Sequence, residues 1–135
     1  MKFFEVEKLS REVWQSLDLG DAEVHMELLE KVTHKYVLLA DGDEKPPYAV
    51  IGLMPGSVLS PYIVLWFSLA KEVKPTRAQL LSGKKLLEEF FSRNNSTVFK
   101  AEIFNEDLIG ARFAEFCGFK PTDKLECRTV YERKV

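Results

Sequence analysis

The fold of this chain is decided by the stretch YIVLWFSLAKEVKPTRAQLLSGKK, residues 62–85. Its opening part, Tyr62 to Ala70, is the most apolar run of the chain and is rich in β-branched and aromatic side chains. Such a run is typical of a strand buried on both faces. A turn at Val73-Lys74-Pro75 follows, and an amphipathic helix then runs to about Arg93. A buried strand that leads into a helix indicates an α/β arrangement.

A second strand and a second helix follow this pair. Residues 97–104 are predicted to form the strand, and either Asn105 or Asp107 caps the helix. The apolar side chains of that helix share one face: Ile109, Phe113, Phe116 and Cys117. Gly118 is predicted to end the helix in the left-handed conformation, with Phe119 packed behind it.

The remaining elements complete a mixed α+β order. The predicted elements of the N-terminal half are a strand at 3–9, helices after Ser10 and at 22–32, and strands at 36–40 and 48–53. Residues 120–123 are predicted to be a turn before a terminal strand at 126–132. The predicted order is therefore βααβββαβαβ, a single domain over residues 1–135 with one mixed sheet and helices on both faces.

Composition excludes several classes of protein. A net charge of −2 argues against a dedicated nucleic-acid binder, which usually carries a basic excess. The start of the sequence turns charged at once, and no apolar run approaches the roughly 20 residues that span a bilayer. Two cysteines cannot build a disulfide framework, which fits the cytoplasm. The two histidines are too far apart to form a metal motif, so we expect no metal, no nucleic acid and no membrane.

The motifs from Val73 onward resemble the GNAT superfamily of coenzyme A-dependent N-acetyltransferases. In that family a valine is followed two residues later by a proline, and then by Arg/Gln-x-x-Gly-x-Gly/Ala opening a helix. Val73, Pro75 and Gly83 match this pattern. Ala78 stands at the arginine position, with Arg77 and Gln79 on either side of it, and Leu81 stands at the first glycine.

The end of the chain continues the resemblance. Gly118 and Phe119 match the family's closing Gly-Phe, whereas Ala114 stands where the family has a tyrosine. Asn105 lies two residues before the family's asparagine position, which Asp107 occupies. The tripeptide Ser82-Gly83-Lys84 resembles the Ser-Gly-Lys that ends the corresponding loop in small, divergent members of the family encoded by tailed phages.

This resemblance implies a cofactor and a partner. The cofactor would be acetyl-CoA, and the partner would be a small-molecule or protein amine; a homodimer stays open. The family topology also implies that the strand starting at Tyr62 lies at the centre of the sheet and separates from the strand at 97–104 near their C-terminal ends.

The resemblance also implies the residues that hold the cofactor: Leu69, Ala70 and Val73 along the pantetheine arm, Arg77, Gln79, Ser82, Gly83 and Lys84 around the phosphates, and Asn105 at the leaving thiol. Other interpretations are open. Thr76 and Gln79 match a capping box, which would start the helix at once and close the phosphate loop. Gly83 either admits a cofactor or allows tight packing of the helix on the sheet, and Asn105 either orients the thiol or caps the helix.

Three residues are candidates for proton transfer. Glu72, near the strand end, is the candidate general base, or else an exposed carboxylate paired with a neighbouring lysine. Cys117 and Tyr131 are the nearest substitutes for the acid that Ala114 lacks, although Cys117 lies on the apolar helix face and is typical of an inert core thiol. Because Ala78, Leu81 and Ala114 depart from the family's pattern, a second hypothesis stays open: a catalytically inactive interaction or CoA-sensing protein on the same fold.

Overall fold

The computed structural model of the chain describes residues 2–18, 22–42, 45–54, 62–72, 76–93 and 98–134. Its helices and strands are, in chain order, β1 (Lys2–Val6), α1 (Arg11–Ser16), α2 (Ala22–Val32), β2 (Lys35–Ala40), β3 (Ala49–Met54), β4 (Tyr62–Leu69), α3 (Arg77–Ser92), β5 (Val98–Phe104), α4 (Leu108–Phe116), β6 (Lys120–Lys124) and β7 (Arg128–Lys134). Each predicted helix and strand is present, and the mixed α+β class is confirmed. None of the helices in these ranges is long and apolar enough to cross a lipid bilayer.

The prediction of a turn at residues 120–123 is wrong, because these residues belong to strand β6. The strand lies at the edge of the sheet and is exposed along its whole length, so it shows no apolar alternation. Pro121 can occupy an edge strand because one side of that strand needs no ladder hydrogen bonds. The register with β7 shifts between Pro121 and Asp123, which marks a bulge. The order is therefore βααβββαβαββ.

The strands form one sheet in the order β1-β2-β3-β4-β5-β7-β6. Strand β4 lies at its centre and is antiparallel to β3 but parallel to β5. The parallel pairing runs only from Tyr62 opposite Val98 to Leu65 opposite Ala101, whereas the pairing with β3 continues as far as Leu69. Both the central place of β4 and its separation from β5 are confirmed.

Helices cover both faces of the sheet because β4 is apolar on both. Leu65 points to a cluster that includes Leu87 and Phe91 of α3, whereas Trp66 points to a cluster that includes Trp14 of α1. On the α4 side, Phe67 lies edge-on to Phe113 and Phe119, with ring centroids 5.3 and 5.4 Å away. Through these contacts, α4 packs against the end of β4.

Candidate functional site

A gap opens between β4 and β5 where their pairing stops. Past Leu65 and Ala101 the two parallel strands continue without pairing to each other, as Trp66–Leu69 on one side and Glu102–Phe104 on the other. Strand β5 remains paired with β7 on its far edge through Phe104. In consequence the gap has two ordered walls and lies at the carboxyl ends of adjacent strands, where ligands bind in open α/β sheets.

The end of helix α1 covers part of the β4 edge. Asp18 donates its N–H to the carbonyl of Leu69 (2.9 Å), and Lys71 donates to the carbonyl of Ser16 (3.0 Å). Between them, Ala70 donates its N–H to the carbonyl of Tyr48, on the opposite edge of β4, beside β3. Because neighbouring residues of a strand direct their backbone groups to opposite edges, the bonds of Leu69 and Lys71 lie on the edge that faces the gap.

The free part of this edge is short. Pairing with β5 ends at Leu65, and pairing with the α1 end begins at Leu69. By the same alternation, the backbone groups of Phe67 face the gap between these two pairings. Phe67 is therefore the position where an extended ligand amide can pair with β4 without displacing any part of the described chain.

The N-terminus of helix α3 confirms the capping box. The Thr76 side chain accepts a hydrogen bond from the Gln79 N–H (3.2 Å), and the Gln79 side chain accepts one from the Thr76 N–H (2.8 Å). Leu80 donates its N–H to the Thr76 carbonyl. Of the first-turn amides, those of Arg77 and Ala78 are left for another acceptor, and both residues are exposed.

Three of the predicted phosphate-binding residues lie further along this helix. Ser82 and Gly83 are inside α3, where backbone N–H groups bond to carbonyls one turn back. Gly83 is buried. Lys84 extends towards α4, with its ammonium 5.6 Å from the centre of the Phe116 ring. Consequently the predicted phosphate loop is helical from Arg77 onward.

A polar network fastens the start of α3 to the turn after β2. The Gln79 amide nitrogen lies 3.0 Å from a carboxylate oxygen of Asp41 and 2.8 Å from the Tyr48 hydroxyl. The Tyr48 hydroxyl donates to Asp41 at 2.5 Å, and this hydrogen bond raises the pKa of the phenol. The network fixes the direction of α3 and places a carboxylate near its N-terminus.

The three proton-transfer candidates lie in different surroundings. Glu72 is exposed beyond the end of β4. Cys117 is 1% exposed, and burial raises the pKa of its thiol to about 12, against the opposing effect of the cations Arg133 and Lys84. Tyr131 is 8% exposed and reaches a surface cavity beside α4. Ala114, at the family's tyrosine position, is fully buried.

Asn105 does not cap helix α4. Asp107 does so instead, by accepting a hydrogen bond from the N–H of Gly110 (2.8 Å). The Asn105 carbonyl oxygen accepts from the Thr129 hydroxyl (2.7 Å), and its amide donates to the Glu126 carbonyl (3.4 Å). The Asn105 side chain therefore ties the end of β5 to the β6–β7 hairpin.

Comparison with known proteins gives a clear result at the level of structure. No protein-family model and no curated protein sequence matches the chain. An acetyltransferase from Bacillus subtilis, solved in complex with CoA, superimposes with a TM-score of 0.68 at 13% identity, over 99% of this chain and 98% of that one. A GNAT-family protein from Desulfovibrio desulfuricans gives 0.64 at 14% identity, over 98% and 99%. The N-acetyltransferase PseH from Campylobacter jejuni, solved with acetyl coenzyme A, gives 0.60 at 17%, over 98% and 97%.

The chain has the GNAT fold. Its central parallel pair and its gap are those that the family resemblance implied. Within this GNAT fold, Leu69, Ala70 and Glu72 lie together at the end of β4, and Asn105 and Tyr131 share the cavity beside α4. Cys117 lies at the other end of α4, among core side chains. Val73, Lys74 and Pro75 lie outside the described residues.

Two features of this GNAT fold were missed by the sequence reasoning. The pairing of Ser16–Asp18 with β4 leaves no signal, because backbone hydrogen bonds do not depend on side-chain identity. The contact of Asp41 and Tyr48 with Gln79 joins residues far apart in the chain, and the acidic turn alone predicts only a hairpin loop. In the part of the chain that the structure describes, no three His, Cys, Asp or Glu residues gather as metal ligands would.

Proposed function

We propose that this chain is an acetyl-CoA-dependent N-acetyltransferase that acts on an amine, either a small molecule or a protein group. The observation that carries the proposal is the gap between β4 and β5 in the middle of the sheet. The gap offers a strand edge to an extended chain, and the start of α3 offers amides to an anion. Acetyl-CoA combines an extended amide arm with phosphates.

The residues present fit such a cofactor at two places. The backbone of Phe67 supplies the free strand edge for the pantetheine arm, and Leu69 becomes available in addition once the α1 end moves. The amides of Arg77 and Ala78, with the Arg77 guanidinium and Lys84, supply positive potential for the phosphates. We place Ala70 and Val73 along the same arm, with Gln79, Ser82 and Gly83 shaping the helix behind the phosphates.

The chain contributes positioning more than proton transfer. Acetyl-CoA, when bound, supplies the thioester that the amine attacks. Glu72, exposed at the end of β4, is the proposed base for the amine. Ala114 has no proton to give, and the Cys117 thiol, with a pKa of about 12, holds its proton tightly in the core. Tyr131 is therefore the remaining candidate acid, and orientation of the reactants is expected to provide most of the acceleration.

A thermal shift measurement followed by a turnover assay tests the proposal. A ligand that binds only the folded state at 100 times its Kd adds about 2.7 kcal/mol to the free energy of unfolding, so acetyl-CoA is expected to raise the Tm clearly. Release of free CoA is then followed with a panel of amines, for the parent chain and for Glu72→Gln. The parent is expected to turn over at least one amine and Glu72→Gln to be slower, with Glu88→Gln on the exposed face of α3 as the matched control.

Specific observations favour a second candidate, a GNAT-fold protein without catalysis. The α1 end occupies Leu69 and Lys71, the capping box closes the start of α3, and Ala114 replaces the family's acid. Binding of acetyl-CoA without turnover of any amine would indicate a CoA sensor. Neither binding nor turnover would indicate an interaction module that has given up the cofactor groove.

A further inference from the structure

A cavity lies beside the start of α4, next to the end of β5 that forms one wall of the gap. It has a volume of about 510 Å³ and is bounded by the end of β5, the first turns of α4 and the β6–β7 hairpin. This volume lies within the range of roughly 300–1,000 Å³ that small-molecule sites occupy. Ile103, Leu108, Ala111 and Pro121 give it apolar walls.

The floor of this cavity contains a polar group without a partner. Tyr131 lines the cavity, and only 8% of the residue is exposed. Among the hydrogen bonds of the described residues, none involves the Tyr131 hydroxyl. In the described part of the chain, the fully buried side-chain nitrogen and oxygen atoms without a hydrogen bond are Trp14 Nε1 and Arg133 Nε, so the Tyr131 hydroxyl is accessible from the cavity and can meet a ligand atom there.

A positive charge lies on the same face of the sheet. Lys124 pairs with Thr129, and Thr129 is two residues from Tyr131, so all three side chains project to the side of the cavity. Lys124 forms no ion pair within the described ranges of the chain. Asp123 also lines the cavity, but it pairs with Val130 and its side chain is therefore directed to the opposite face.

The other polar side chains of the cavity are already engaged. The Thr129 hydroxyl donates to Asn105, and the Thr122 hydroxyl donates to the Val130 carbonyl. The groups left to recognise a ligand are the phenol of Tyr131 and the ammonium of Lys124, across an apolar floor. Both are hydrogen-bond donors on the same face of the β6–β7 hairpin, which suits a carboxylate, and a charge-assisted bond is about twice as strong as a neutral one.

We propose that this cavity binds a small organic acid, with its carboxylate on Tyr131 and Lys124 and its apolar body against Ile103, Leu108 and Pro121. The proposal gives Tyr131 a binding role in place of the candidate acid role, and its test does not depend on acetyl transfer because neither Glu72 nor the amides of Arg77 and Ala78 line the cavity. It assigns to Tyr131 a binding role that explains why a tyrosine, and not a phenylalanine, lies at this core position.

Three matched probes test this inference on the full chain: 3-phenylpropionate, 3-phenylpropionamide and 3-phenylpropylamine, titrated by NMR. The acid is expected to bind about tenfold or more tightly than the amide and the amine, as a charge-assisted bond implies. Tyr131→Phe keeps the ring in the core, and Lys124→Gln removes the charge while it keeps the first two methylenes of the stem. Each is expected to weaken acid binding about tenfold while the amide is little affected.

The control is Lys120→Gln on the same edge strand. Lys120 pairs with Glu132, so its side chain projects to the face opposite Tyr131, and acid binding is expected to be unchanged. Three results would overturn the proposal: equal binding of acid, amide and amine; acid binding that survives both Tyr131→Phe and Lys124→Gln; or no binding of the acid at millimolar concentration to the parent chain.

Discussion

Cys117 and Cys127 show how far burial separates two residues of the same type. Cys117 is enclosed by the core and Cys127 is exposed, and both are free thiols. The apolar face of α4 was sufficient to predict the buried one, because helical spacing alone places it inward. The unpaired phenol of Tyr131 and the free ammonium of Lys124 could not be predicted, since both depend on the register of two strands.

The first prediction concerns thiol chemistry. Iodoacetamide at neutral pH is expected to label Cys127 rapidly and Cys117 only after unfolding, because the thiolate is the reactive form and burial keeps the Cys117 thiol protonated. Mass spectrometry of the native and urea-unfolded chain distinguishes the two. Rapid native labelling of Cys117 would contradict both its burial and its raised pKa.

The same thiol gives a pH dependence of stability. Its pKa is about 12 when folded and 9.0 in the absence of the fold, so the folded state holds the proton more tightly. Between these values the unfolded chain binds fewer protons, and the free energy of unfolding therefore falls as the pH rises above about 9. Cys117→Ala is expected to remove this component of the alkaline loss, as measured by urea unfolding across the window.

The third prediction concerns Gly118. Its φ of 88° is in the left-handed region, and a Cβ there would collide with the Arg133 guanidinium, which donates to the Cys117 carbonyl. Gly118→Ala is expected to lower the free energy of unfolding by about 2 kcal/mol, mostly from the backbone conformation. Gly42→Ala is the control, because its Cβ would meet only Lys45 Cγ at an ordinary 3.6 Å. An equal loss of unfolding free energy in the two variants would contradict this explanation of how α4 ends.

At the scale of elements, the sequence predicted helix α3 well and strand β6 not at all. The capping box of Thr76 and Gln79 is a local pattern, and local patterns are visible in sequence. Strand β6 is held by pairing with β7 alone, and its exposed, proline-containing sequence resembles a turn. The contact between the α1 end and β4 is likewise made of backbone groups, so only the structure shows it.

This contact supports a fourth prediction. Asp18→Pro removes the N–H that bonds to Leu69, and Leu17, at φ −87° and ψ 144°, already has the extended backbone that precedes a proline. The variant is expected to lose about 1 kcal/mol of stability. It is also expected to bind acetyl-CoA more tightly by calorimetry, because the gap edge of β4 is freed.

Asp18→Ala is the matched control for this prediction, because it removes the same carboxylate but keeps the N–H. Its affinity for acetyl-CoA should equal that of the parent. If Asp18→Pro and Asp18→Ala bind the cofactor equally, the α1 end does not compete for the β4 edge.

At the scale of the whole molecule, the mixed sheet was predictable because the apolar run of β4 demands cover on both faces. Its central place and its separation from β5 came from the resemblance, and the strand pairing confirms both. The candidate site was predictable only in outline. Strand ends and a helix start can be located in sequence, but which of their backbone groups are free depends on contacts between distant parts of the chain, such as Asp18 with Leu69.

The central claim is that acetyl-CoA binds in the gap between β4 and β5. It is tested most directly by titrating acetyl-CoA into ¹⁵N-labelled protein and following the backbone amides of Phe67, Leu69, Arg77 and Ala78. The account predicts saturable shifts at these amides, with Lys120 and Lys134 on the far strands unmoved. Absence of any shift at millimolar acetyl-CoA, or saturable shifts confined to residues outside the gap and the start of α3, would contradict it.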